Sequence, residues 1–316
     1  MKNKIEPRGE FIGEFLASEQ PESVPLMGTW LLQGTLVMLF SGTGIGKTFL
    51  GLELAHALAT GRKFLRWSPE KPVKVCYFDG ELGKSTLYKR IWQIEGQNPI
   101  VSVPPMQMRV VSVEHYDGLM PNLSNIGDQK IYTTEADGCE VLIIDNLLSC
   151  SMPENKWDDD LKQWYRIQRW ARSLVLTGKT IVFVHHSGKS GDSQLGTSLR
   201  ENAMDTIIQL KRPLLEEYRN RLCFEWHFTK ARHFFGDAAQ SLFVDFDSAP
   251  TDGCWWKWKM LRDFHVEAIE ALHYKGLSKR EIVEHLQVPV SFVTSVLEMK
   301  TWKYGEQRTR SSEDLF

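Results

Sequence analysis

Hydrophobic residues along this chain fall into strand and helix rhythms that alternate over roughly residues 30–250. Five short runs are apolar almost without interruption: Leu36–Phe40, Val73–Phe78, Val141–Ile144, Ile181–Val184 and Ile207–Leu210. Runs of this length predict strands covered on both faces, as in a parallel sheet. Between them, apolar residues recur three and four positions apart. Thr48–Thr60 carries Leu50, Leu54, Ala57 and Leu58 at that spacing and stops before Gly61. Lys156–Thr177 aligns Leu161, Trp164, Ile167, Ala171 and Leu174 and ends at Gly178. Both read as helices closed by glycine. Strand–helix alternation requires crossover connections, so the expected fold class is α/β, a mostly parallel sheet with helices on both faces.

After Leu210 the period becomes two. Leu222, Phe224, Trp226 and Phe228 alternate with polar neighbours, and Leu242, Val244 and Phe246 do so again. These predict two antiparallel strands at the sheet edge. The turn-rich Ser248–Gly253 marks a boundary. Beyond it, Asp263–Lys275 sets Phe264, Ala268, Ile269 and Leu272 on one helix face. Ser278 is placed to cap a second helix holding Ile282, Val283 and Leu286, and Ser291 a third holding Phe292, Val293, Val296 and Leu297. The expected division is an N-terminal segment 1–25, an α/β domain 26–250, an all-α unit 256–306 and a tail 307–316. Gln97 to Gly138 carries the least readable pattern of the core.

Composition changes this picture little. The 316 residues are 42% hydrophobic and 25% charged, enough for a sizeable core. A net charge of −2 excludes a global basic field, though not a local basic loop. The five cysteines are scattered without the close pairs of a zinc site, so free buried thiols in a reducing compartment are expected. There is no apolar signal core and no run approaching the roughly 18 residues needed to cross a bilayer. A cytoplasmic protein with no membrane partner is expected.

The chemistry begins where the first strand ends. Ser41-Gly42-Thr43-Gly44-Ile45-Gly46-Lys47-Thr48 leads, through Phe49, into a helix, the strand–loop–helix context of a P-loop. Its glycines let successive backbone N–H groups wrap a phosphate at a helix N-terminus. Lys47 is placed to neutralise β- and γ-phosphates, and the Thr48 hydroxyl to bind Mg²⁺. Two decoys lack that context: Gly83-Lys84-Ser85-Thr86, with Phe78 where its first small residue should be, and Gly188-Lys189-Ser190, which runs on into polar loop. Val141-Leu142-Ile143-Ile144-Asp145 is four apolar residues ending in an acid, a Walker B pattern that puts Asp145 beside the metal. Val75 to Glu81 ends another strand in two acids. Glu81 is the candidate general base and Asp79 its nearest competitor. Ile181 to Ser187 ends a third in His185-His186, where a neutral imidazole can hydrogen-bond a γ-phosphate or its water. Lys189 and Arg200, in and after the polar stretch that follows, could each face a nucleotide. Lys230 and Arg232 close an edge strand as a pair able to reach a γ-phosphate on an adjacent subunit.

Taken in order, these residues resemble the RecA-like ATPases grouped around the plasmid RepA-type hexameric replicative helicases, with kinship to ring helicases and circadian-clock ATPases. Trp30-Leu31-Leu32, the SGTGIGKT loop, GRKFL at 61–65, YFDGE at 77–81, LIIDN at 142–146, HHSGK at 185–189 and TKARHFFG at 229–236 carry the resemblance. It implies a homo-hexameric ring with ATP and Mg²⁺ at each subunit interface. Glu81 would be catalytic, Asp145 a metal-side acid, His186 a γ-phosphate sensor, and Lys230 and Arg232 fingers acting in trans. It also implies that the segments after Asp145 and His186 line a channel for single-stranded DNA. RepA-type helicases carry Arg-Gly-Ser-Ser after the histidine loop. Here Leu195-Gly196-Thr197-Ser198 stands there, with Arg200 as the substitute, and Ser149–Trp157 carries a single Lys.

LSKREIVEHLQVPVSFVTSVLEM, at 277–299, is similar to the helix-turn-helix of resolvase-like and regulator DNA-binding domains. That similarity would bring Ser291, Thr294 and Ser295 to a duplex major groove. A helical module for protein contact or oligomer packing is the alternative. For the whole chain, the leading expectation is a DNA-dependent ATPase of replicative-helicase type from a mobile element. A nucleotide-switched DNA-binding ATPase without unwinding, or a defence ATPase recruiting another protein, stand beside it.

Overall fold

The computed structural model describes residues 9–18, 23–96, 107–151, 160–188, 199–248 and 255–299. A helix, α1 (Ile12–Ala17), precedes a small antiparallel pair, β1 (Pro25–Met27) and β2 (Leu31–Leu32). The alternating region then follows as β3 (Leu36–Ser41), α2 (Lys47–Thr60), β4 (Val75–Asp79), α3 (Lys84–Gly96), β5 (Met108–Ser112), α4 (Gln129–Glu135), β6 (Val141–Asp145), α5 (Asp160–Val175), β7 (Thr180–His186), α6 (Leu199–Ala203) and β8 (Thr206–Lys211). β9 (Cys223–Ala231), β10 (Leu242–Phe246) and β11 (Trp256–Met260) complete the sheet. α7 (Leu261–Tyr274), α8 (Lys279–Leu286) and helical residues 290–299 follow it.

The nine-stranded sheet runs β11-β10-β9-β8-β3-β7-β6-β4-β5, parallel from β8 to β5 and antiparallel from β8 to β11. This is the expected RecA-like α/β core. The continuous apolar runs pack both ways because successive side chains leave a strand on opposite faces. On one face Val37, Leu39, Tyr77, Ile143, Val182 and Val184 meet α2. On the other, Leu36, Met38, Phe40, Phe78, Ile144 and Phe183 meet Tyr132 of α4 and Trp164, Ile167 and Leu174 of α5. Helix α2 is buried almost all round, as a helix walled in on every side must be.

Two expectations shift. β5 lies in the stretch with the least readable pattern. β11 belongs to the sheet, so the α/β unit runs on past 250 to Met260 and the all-α unit begins at Leu261. That unit seats Phe264, Ile269, Leu272, Ile282 and Leu286 against Cys223 and Phe243 of the sheet, Phe243 and Phe264 stacking at 3.9 Å. Ser278 caps α8 as expected, accepting from the Glu281 N–H. Cys76, Cys139, Cys150 and Cys223 are buried free thiols, and Cys254 lies outside the described residues. Among the described residues no helix is long and apolar enough to cross a membrane.

Glu53 is an acid inside the α2 packing. Burial pushes its carboxyl up to about 8, outweighing the Trp255 backbone N–H and Arg62, which pull it down. The fold therefore keeps a proton that the unfolded chain has released above its ordinary range, so this group's contribution falls as pH rises from about 4.5 to 8. Glu53→Gln should flatten that part of the melting-temperature profile and stabilise the protein at pH 8 by something on the order of a few kcal/mol. Thermal melts of both proteins across that window check it, and parallel curves would refute it.

Candidate active site

Four neighbouring strands end almost level at one edge of the sheet. Their register sets Ser41 beside His186, Val184 beside Asp145, and Asp145 beside Asp79. Between β3 and α2 the chain turns through Gly44 and Gly46, with φ of 71° and 99°. L side chains rarely adopt that region. At Gly46 a Cβ would also come 3.1 Å from Leu222 and 3.3 Å from Trp256. The loop thus turns into the N-terminus of α2, where a helix leaves its first N–H groups without intrahelical partners. Lys47 is buried there, its Nζ donating to the carbonyls of Ser41 at 3.2 Å and Gly42 at 2.8 Å. Burial lowers its pKa while Asp145 and Glu81 oppose the shift. Outside the loop, Arg212 braces it by donating to the Gly44 carbonyl at 2.8 Å.

Asp145 is buried, and burial pushes its carboxyl up, against hydrogen bonds from the Tyr77 and Thr48 hydroxyls and the charge of Lys47. The Tyr77 hydroxyl donates at 2.6 Å. A hydroxyl and a carboxylate side by side, next to a backbone cradle for anions, are the oxygen donors that Mg²⁺ takes when it is bound to phosphate. The residues present fit both ATP and the metal.

The two acids after β4 divide. Asp79 accepts the N–H groups of Glu81 at 2.9 Å and Leu82 at 2.5 Å, and burial pushes its carboxyl up to about 7. It builds the turn that aims Glu81 into the cleft. Glu81 accepts from Asn146 Nδ2 at 2.5 Å and Ser149 Oγ at 3.0 Å, and its oxygen lies 3.6 Å from His186 Nε2. Burial alone would raise its pKa. These hydrogen bonds and the histidine reverse that, leaving it below the ordinary value. Asn146 Nδ2 is also 3.1 Å from His186 Nε2, so one buried amide touches both candidate base and candidate sensor. Asn146 is invisible to the strand pattern, its one signal being its place directly after the Walker B acid. The cleft, about 510 Å³, is lined by Thr43, Gly44, Gly46, Lys47, Thr48, Phe49, Glu81, Asp145 and His186. Leu82, Asn146, Leu222 and Phe246, with Arg90 and Gln93 of α3, complete it and were not foreseen as cleft residues. Ser41, Gly42 and Ile45 support the loop without lining that cleft.

Other candidates lie elsewhere. His185 and His186 point to opposite faces, as the period of a strand dictates. Arg200 follows His185, not His186: its guanidinium is buried 2.7 Å from His185 Nε2, bonded to Asp160 and above the Trp164 ring. The expectation that Arg200 faces a nucleotide is therefore corrected for its own chain. Because β9 runs antiparallel to β8, Lys230 and Arg232 emerge at the opposite sheet edge, with Ala231 beside Thr206 and Trp226 beside Leu210. Four residues of strand separate these edges, about 13 Å. There Lys230 donates to the Glu201 carbonyl at 2.7 Å and Arg232 to Asp205 at 2.7 Å. Neither serves its own cleft. Lys189 and positions 152–159 lie outside the described residues. Ser291 is exposed but sits within helical residues 290–299 instead of capping them. Thr294 is half-buried, and the Ser295 hydroxyl donates to the Phe292 carbonyl at 2.9 Å.

A family model described as an AAA domain matches residues 4–192. No curated protein sequence is matched. Among solved structures the fold is similar to a KaiC-like protein from the hyperthermophilic archaea, Pyrococcus horikoshii OT3. The identity is 14% and the TM-score 0.50, over 75% of this chain and 96% of that one. At that identity the likeness is one of fold.

Proposed function

The chain belongs to the AAA domain family of P-loop ATPases, and on that premise we propose that it is a ring-forming, ATP-hydrolysing motor acting on DNA, of the replicative-helicase type. The observation carrying this reading is the separation of parts. The cleft is lined by the P-loop, Glu81, Asp145 and His186, while Lys230 and Arg232 stand on the far edge of the sheet. A second copy presenting that edge would supply the missing cations, and a head-to-tail contact repeated closes into a ring or grows as a filament. The resemblance to RepA-type hexameric helicases supports the ring, and the C-terminal helices support DNA as the partner.

In the reaction Lys47 exchanges its two carbonyl partners for phosphate oxygens. Glu81, kept ionised by Asn146 and Ser149, takes a proton from the attacking water. His186 lies against Glu81 and is placed to register loss of the γ-phosphate. Mg²⁺, when bound, would neutralise charge on the phosphates. Thr48 and Asp145 would hold it.

A second reading has its own observation. α7 follows β11 without a break and packs on β10, so nucleotide state could be passed to the C-terminal helices without any unwinding. Turnover measured with single-stranded or duplex DNA, together with strand displacement on a forked duplex, separates these readings. The motor requires stimulation by single strands and displacement. Stimulation by duplex without displacement transfers the case to the switch. Indifference to DNA removes both and leaves an ATPase that recruits a protein.

A further inference from the structure

Helix α3 starts three residues after Glu81, and Arg90 and Gln93 on one flank line the cleft. Its outer stripe is Ser85, Tyr88, Lys89 and Trp92, all exposed. Tyr88 and Trp92 are each 65% exposed, and their rings lie within 10° of parallel with centroids 6.3 Å apart. Large flat rings held open to solvent cost hydrophobic free energy unless something covers them. The surroundings say what. Lys84 and Lys89 flank the rings, and the helix's one acid, Glu95, is turned away to His56 at 3.1 Å. From another element, Glu114 accepts the Lys84 backbone N–H at 2.9 Å. An apolar protein surface would meet rings interrupted by Ser85 and Lys89. A chain of flat bases on a negatively charged backbone matches both the spacing of rings and the sign of charge.

We infer that the Tyr88–Trp92 face of α3 is a stacking site for single-stranded nucleic acid, with Lys84 and Lys89 on its phosphates. This rests on the DNA-motor reading and deepens it. A strand held on α3 acts on the turn that carries Glu81, so binding and turnover are mechanically joined through Leu82 and Gly83 rather than through a channel loop alone.

The test uses the full chain and a fluorescent oligo-dT read by anisotropy. Trp92→Ala and Tyr88→Ala should each weaken binding about tenfold, while Trp92→Phe and Tyr88→Phe stay within about threefold, since any aromatic ring stacks. Lys89→Ala should lessen the salt dependence of binding. A 5-iodouracil oligonucleotide should photocrosslink to the peptide holding residues 88–92. If wild type binds the oligonucleotide and both alanine variants bind it equally well, this inference fails while the motor reading stands. If wild type binds no single strand, the motor reading fails and takes this one with it. Should the alanine variants instead change only the mass of the assembly by light scattering, the face belongs to a second copy of the chain and the inference is overturned.

Discussion

Glu81→Gln is expected to lower the kcat of ATP hydrolysis by about 10²–10⁴-fold while leaving nucleotide affinity close to wild type. The amide keeps the side chain's shape and can still bond Ser149, but it has no basic oxygen for the water's proton. Phosphate binding is held by the loop glycines and Lys47, which the substitution does not touch. Asn146→Ala should give a smaller loss of kcat with a shift in its pH dependence. Without the 2.5 Å hydrogen bond, burial pushes the Glu81 carboxyl back up. A base whose pKa is depressed stays competent as the pH falls into the ordinary carboxylate range. Turnover in the wild type therefore fails only below that range, and the failing limb moves to higher pH in Asn146→Ala. Steady-state turnover and titration with a fluorescent ATP analogue measure both effects. Asp79→Asn is the control. If it abolishes turnover at intact melting temperature while Glu81→Gln remains active, the base has been misassigned.

The largest stability loss should come from a residue with no place in the cleft. Asp205 is buried at the opposite sheet edge. One oxygen accepts the Leu36 N–H at 2.9 Å, and the carboxylate pairs with Arg232 at 2.7 Å and Arg172 at 3.7 Å. Asp205→Ala leaves a strand-end N–H and two guanidinium groups without their shared partner, a loss of about 3–5 kcal/mol. For a domain this large the melting temperature should fall by roughly 10 °C. Arg232→Ala alone removes a half-exposed partner and should cost much less stability. Calorimetry on the three proteins decides the matter. A near-wild-type melting temperature for Asp205→Ala would show that the network is held elsewhere.

The comparison of these two residues shows where sequence reading stops. Asp145 and Glu81 are legible because strand ends in an α/β sheet are ligand edges, and an acid after four apolar residues has one place to go. Asp205 has no such flag. Its partners Leu36, Arg172 and Arg232 are distant in sequence and meet only when β3, α5 and β9 come together. Asn146 lies next to a flagged acid, yet its role depends on Glu81, 65 residues away. Arg200 looks like the site's cation because it follows the histidines. The period-two alternation of β7 turns His185 to the far layer, and Arg200 joins it there only because α6 packs on that side. β11 was missed since Trp256, Trp258 and Met260 gain their meaning only against β10.

From sequence alone came the features that depend on neighbours along the chain: the strands of continuous apolar runs, the P-loop, the acid at the end of β6 and the Ser278 cap of α8. Local backbone geometry and side-chain period dictate these, and both are written in consecutive residues. Tertiary structure alone decided which acid faces the cleft, which histidine and which arginine turn away from it, and how far the Lys230–Arg232 edge stands from the P-loop. Those are matters of which strand lies beside which and in what direction, and residues far apart in the chain settle them by packing.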